Sequence, residues 1–234
     1  MASFMSSTLP ARRRLIRIIR QTDMPMVNPE QVKADSISLL RSWAVPVIDH
    51  LPTLEAASEL SPQSADAVAR RCSVLTHVIM IGYDEEPTES AKAVTRFGLM
   101  SFASAHERDL FGRKKNSKQE RIDATWLTEC MQSFAWCLSL AELDVFKHCD
   151  DDLASLFPEP YTDPSTFISS AALRPFEEIY RQADIHYRLH WAARNCRHSG
   201  AKFPVSESII RERRRALDWV IGVELDWDEV PSDT

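Results

Sequence analysis

Glycine is nearly missing from this chain, with five residues in 234. Sheets joined by tight hairpins draw on glycine where the backbone turns left-handed, so the shortage argues against an all-β fold and towards helices. Long apolar runs are missing too. Nothing approaches the roughly 18 consecutive apolar residues of a membrane-spanning helix. The first 22 residues lack the apolar centre of roughly 7–15 residues that marks a secretory signal. Cysteine is present without pattern: Cys72, Cys130, Cys137, Cys149 and Cys196 are odd in number and form no Cys-x-x-Cys pair. That removes the disulfide-scaffold and zinc-ribbon readings and points to a reducing, cytoplasmic compartment.

Excess positive charge is also lacking. The net charge is −6, and residues 1–22 hold five arginines (Arg12, Arg13, Arg14, Arg17, Arg20) with no acid, which leaves the remainder at −11. An acidic body excludes nucleic acid as the expected main partner, because phosphate binding needs clustered cations. The basic stretch is compatible with a transit peptide, a lipid-surface helix, a nucleic-acid arm or, as such stretches more often are, a solvated terminus. Met5, Met24 and Met26 leave the start codon open. No GxGxxG, phosphate loop or GxSxG is present, so nucleotide-binding and serine-hydrolase templates fail, and no cofactor is implied.

What is present reads as helix after helix. Asn28-Pro29-Glu30-Gln31 offers a cap, a proline at the first helical position and a glutamine, opening a helix to about Ser42. Ala44 to Pro52 reads as extended, because residues before proline avoid the α region. Ser61-Pro62 is expected to open the next helix, with Val68, Cys72, Leu75 and Ile79 as its buried stripe. Ser90–Ser101 is helical by pattern. Ser104…Glu107 and Ser117…Glu120 have capping-box spacing. Trp126 to Leu143 is apolar on nearly every side and is expected to be the central buried helix. Asp150–Phe157 reads as a short helix closed by Pro158; its Asp150, Asp151 and Asp152 acids resemble a cation-binding cluster but more simply favour the positive end of that helix. A helix starting at Pro175 is expected either to continue or to bend into Asp184–Cys196, and Ser206 caps the last one, to about Val220. The expectation is a single all-α domain over 28–234, preceded by a basic arm over 1–27.

Periodicity also places polar groups in apolar surroundings. At about 100° per residue, Arg213 falls inside an arc of Ile209, Ala216, Leu217, Trp219, Val220 and Ile221, with Glu212 at its edge. Arg211, Arg214, Arg215 and Asp218 face the other way on the same wheel. A buried arginine cannot shed its charge and needs a carboxylate. Glu129, nearly alone among the apolar residues of the central helix, is the expected partner, with Asp184 and Glu107 as alternatives. Asp184 and Arg188 form an i,i+4 pair. His186 and His190, also four apart, are a weak metal-ligand candidate, since Tyr187 stands where a zinc-protease motif needs glutamate.

Several segments then occur together in order: Leu173-Arg174-Pro175, Tyr187-Arg188-Leu189-His190-Trp191-Ala192, Glu212-Arg213-Arg214-Arg215-Ala216-Leu217-Asp218-Trp219, Asp226-Trp227-Asp228 and the closing Asp233-Thr234. With Val45-Pro46, Leu51-Pro52, Ala69-Arg70-Arg71 and Trp126 with Glu129, they resemble the bacterial domain-of-unknown-function family 4272 over roughly residues 30–234. The resemblance implies a bacterial, mostly helical protein and implies no activity. It places Glu129, Arg188, His190, Glu212 and Arg213 within the family's motif positions, with His186 outside them. Two functional expectations follow. One is a cytoplasmic protein-interaction module of adaptor or toxin-neutralising type, favoured by the acidic body and the missing catalytic templates. The other is an enzyme or a small-molecule or anion sensor built on those five polar residues. Without a heptad repeat, nothing supports a coiled coil, and the sequence assigns no oligomeric state.

Overall fold

Residues 27–231 are described by the computed structural model; the basic arm expected over 1–27 lies outside them, Val27 apart, as do the closing Asp233 and Thr234. Among the described residues are eight α-helices and no strand: α1 (Pro29–Ser42), α2 (Ala65–Gly82), α3 (Pro87–Arg96), α4 (Ala105–Gly112), α5 (Lys118–Cys137), α6 (Ser165–Ser170), α7 (Phe176–Ser199) and α8 (Glu207–Ile221). No described helix is long and apolar enough to cross a membrane.

The helix starts follow local chemistry. Asn28 accepts from the amides of Glu30 and Gln31, with Pro29 as first residue of α1. Ser104 with Glu107 and Ser117 with Glu120 close reciprocal capping boxes on α4 and α5. α7 runs unbroken for 24 residues, its interior free of glycine and proline, until Gly200 turns left-handed at φ 73°.

α5 is the central helix, packed between α2 and α8, while α7 lies against α8 and α1. Two apolar cores result. The larger gathers Val74, Leu75, Phe134, Trp219 and their neighbours around α2, α5 and the end of α8. The smaller joins Leu40, Leu189, Ile209 and Ile210 where α1, α7 and the start of α8 meet.

Several expected elements differ. The central helix does not reach Leu143 but ends at Cys137, where Leu138 caps it and Ser139 turns left-handed at φ 59°. Ser61 does not open α2; Ser64 caps it by accepting from the Ala67 amide. Residues 61–63 instead run along the end of α8, the Ser61 amide donating to the Gly222 carbonyl at 3.3 Å and that of Gln63 to Val220 at 2.9 Å. α3 starts earlier and ends sooner than Ser90–Ser101, because Pro87 supplies the first turn and Gly98 (φ 68°) ends it. Asp150–Phe157 yields only a 3-10 turn, Leu153–Leu156. Pro158 forces Phe157 into extended backbone (φ −118°, ψ 161°), leaving too few residues for α-helical turns.

Candidate functional site

The loops between these helices have no ladder to satisfy their carbonyls, and buried arginines do it instead. On α8, Arg213 donates from Nε to Glu129 Oε2 at 2.9 Å, and its two terminal nitrogens donate to the carbonyls of Asp144 (2.7 Å) and Lys147 (2.9 Å). The other Glu129 oxygen accepts from the Cys149 amide at 3.1 Å. One turn along α5, Gln132 donates to the Glu142 carbonyl and to Asp150 Oδ2, both at 2.9 Å, and accepts from the Asp150 amide. Residues 142–150 are thus stapled to α5 and α8.

The same device recurs. Arg188 holds Asp184 in a two-point pair (2.9 and 2.8 Å) and donates to the Pro52 carbonyl at 3.1 Å. Arg71 on α2 grips both oxygens of Glu107 (2.9 and 2.7 Å), donates to the Phe102 carbonyl, and lies over the rings of Trp219 and Trp227. Of the partners weighed for Arg213, Glu129 is the one found. Arg71 as the partner of Glu107 had no local signal, since 36 residues separate them.

The five polar residues singled out by periodicity and motif therefore do not converge on one point. Glu129 pairs with Arg213, and Arg188 with Asp184. Glu212 meets Arg211 and Arg215. His190 meets Arg214, which in turn holds Asp218 at 2.9 Å. Arg214 and Asp218, placed by the wheel on the outward side, are buried. That is a correction: α7 covers the side of α8 that the periodicity leaves to solvent, and the Arg214–Asp218 i,i+4 pair neutralises both charges there.

The two histidines of α7 are each engaged within the fold through Nδ1. His186 Nδ1 lies 2.9 Å from the Gln182 carbonyl and 3.2 Å from the Gln182 side-chain nitrogen, the shorter contact favouring a proton on Nδ1. His190 Nδ1 faces an Arg214 nitrogen at 3.1 Å; a guanidinium only donates, so this imidazole carries its proton on Nε2. Burial, aided by nearby arginines, lowers His186 to about 3 and His190 to about 4. Glu207, 3.7 Å from His190 Nε2, therefore faces a neutral ring. Among the described residues no group of three His, Cys, Asp or Glu side chains is placed to hold a metal ion.

Concavity lies elsewhere. Between α2, α5 and the 149–160 segment is a cavity of about 430 Å³, within the size range of small-molecule sites. Its floor is Met131, Leu153 and Phe157, all buried; Ile79, Met80 and Cys149 form half-buried walls; its rim is Tyr83, Asp150, Asp151 and Ala154, all exposed. Thr76 and Thr128 also line it, but their hydroxyls turn back to the carbonyls of Cys72 and Thr125. Burial, reinforced by the Glu129 carboxylate, raises the Cys149 thiol, which is therefore no ready nucleophile. Because Asp150–Asp152 precede a 3-10 turn and not an α-helix, their expected role at a helix start is not realised. Sequence reasoning singled out the acids at this rim but missed the cavity behind them, because its wall comes from a segment without periodicity.

A protein-family model described as a domain of unknown function (DUF4272) matches residues 32–230. The chain belongs to the DUF4272 family. Membership in DUF4272 assigns no activity, and the match takes in α5, α7, α8 and the whole cavity lining. No curated protein and no solved structure matches the chain.

Proposed function

We propose that this DUF4272 protein acts by binding, and that its ligand is a small apolar molecule taken into the cavity between α2 and α5. The carrying observation is the cavity: a half-open apolar pocket with a buried floor, its outer wall held by the Glu129–Arg213 and Gln132–Asp150 contacts. Such a wall is preorganised, so little ordering cost is left for binding. Against the enzyme or anion-sensor reading stands the burial of Glu129, Arg188, His190 and Arg213, each already engaged by the fold. The test is a ¹³C-methyl methionine NMR titration with 1-octanol. Saturable shifts of Met80 and Met131 are expected, lost in Ala154→Trp, which fills the rim; unchanged methionine signals would refute the site.

A protein-interaction role, of adaptor or toxin-neutralising type, draws support from a different surface. Leu39 on α1 and Trp43 at its C-cap stay exposed at 37% and 40%, and Trp43 meets Phe146 edge-on at 5.5 Å. With Leu143 and Ile185 they border a shallow apolar groove. Tryptophan is favoured at binding hot spots. Affinity purification of tagged wild type and Trp43→Glu tests this reading: one near-stoichiometric protein lost with the variant supports it. For setting, a reducing bacterial cytoplasm is our inference, resting on five free cysteines and the family resemblance.

A further inference from the structure

The lining of the α2–α5 cavity is one-sided in charge. Among the described residues it contains no lysine, arginine or histidine, and the two formal charges on its described lining are the carboxylates of Asp150 and Asp151. Asp150 is not a freely waving side chain: buried Gln132 grips both its backbone amide and one carboxylate oxygen at 2.9 Å. The wall residues behind the rim present methyl, thioether and ring surfaces. Lys147, the basic residue nearest in sequence to the rim acids apart from His148, is paired with Asp144 at 3.1 Å. Tyr83, 66% exposed, adds an aromatic ring to the rim, and an aromatic face attracts cations.

An anionic head at this rim would meet two carboxylates with no compensating cation among the described lining residues, and a neutral one would gain nothing from them. A cationic head is attracted by both while its apolar body fills the floor of Met131, Leu153 and Phe157. From this geometry we infer that the cavity takes a small amphiphilic cation: one apolar body with one ammonium or guanidinium head, the head resting between Tyr83 and the Asp150–Asp151 carboxylates. The inference rests on the small-molecule reading above and assigns its ligand class. It also gives the Glu129–Arg213 pair a positioning role, because that pair and Gln132 fix the segment that carries the two aspartates.

Three probes with the same tail separate site from class: octyltrimethylammonium, 1-octanol and octanoate, each titrated into the full chain while the methionine methyl groups are followed. Shifts of Met80 and Met131 are expected with all three, with the cation bound about tenfold more tightly than octanoate at low salt, a preference that shrinks as salt is added. Asp150→Asn/Asp151→Asn should bring the three affinities to within about twofold while leaving 1-octanol unchanged. Asparagine at 150 can still accept from Gln132, and Asp151→Asn alone leaves that contact intact should the double variant fold poorly. Binding of 1-octanol without preference for the cation would overturn the ligand class and leave the site standing. Failure of all three probes would overturn the site as well. Displacement of bound octyltrimethylammonium by a co-purifying protein would replace the small molecule with a peptide.

Discussion

At the scale of single residues the unusual feature is the number of arginines inside the protein, three of which, Arg71, Arg188 and Arg213, spend the guanidinium on a carboxylate and on loop carbonyls. A side chain with five donors can serve several acceptors at once, which a lysine could not arrange in a plane. Removing one member strands the other. Glu129→Gln or Arg213→Met should each destabilise the fold by about 3–5 kcal/mol in urea unfolding. A paired Glu129→Leu/Arg213→Met replacement should recover part of that loss. Recovery is incomplete because the Asp144 and Lys147 carbonyls still lose their donors. Protonation offers a second prediction. His186 and His190 sit at about 3 and about 4 in the fold, against 6.5 ordinarily. Between those values the unfolded chain takes up protons that the fold refuses, so stability falls as pH drops below 6.5. Asp218, pushed by burial from 3.8 to about 7, works the other way: its contribution declines as pH rises through that range. Two histidines outweigh one aspartate, so the melting temperature should drop on acidification from about pH 6.5 to about pH 4.5. His190→Asn should flatten the drop and Asp218→Asn should steepen it.

Elements meet here through backbone as much as through side chains. Gly222 ends α8 at φ 81°, and a Cβ there would lie 2.1 Å from the Ser61 carbonyl oxygen. Both the left-handed turn and the close passage of residues 61–63 demand glycine. Gly222→Ala should cost more than about 1 kcal/mol, read from the urea midpoint, whereas Gly98→Ala meets no neighbour and should cost only the strain of its positive φ. The helix starts were legible in sequence because caps act over three or four residues: Asn28, Ser104, Ser117 and Ser206 all do what their spacing predicts. Ser61-Pro62 misled because it has the same local form, and only the approach of α8 diverts it. For the site, the wheel found Arg213 and Glu129, since each interrupts an apolar surface. It placed Arg214 and Asp218 outside because a wheel describes one helix and cannot know how many neighbours cover it.

Across the whole molecule, five cysteines without a disulfide match a fold that closes on apolar packing and internal ion pairs. Four of them are buried, and Cys149 is half-buried at the cavity wall. A thiol count in denaturant should give five. In the native protein only Cys149 should be labelled, slowly because its thiol is raised, and more slowly still with octyltrimethylammonium bound. Rapid native labelling of several thiols would contradict the packing described.

The sequence by itself determined the helical class, most helix starts, the apolar character of α5 and the need of Arg213 for an acid, because these follow from periodicity and capping within a few residues. Only the tertiary structure decided that Arg71 meets Glu107, that α7 covers Arg214 and Asp218, and that residues 142–160 fold against α2 and α5 to leave a cavity. Those outcomes depend on contacts between distant segments, and the one enclosing the cavity has no repeating pattern to announce which side is turned inward.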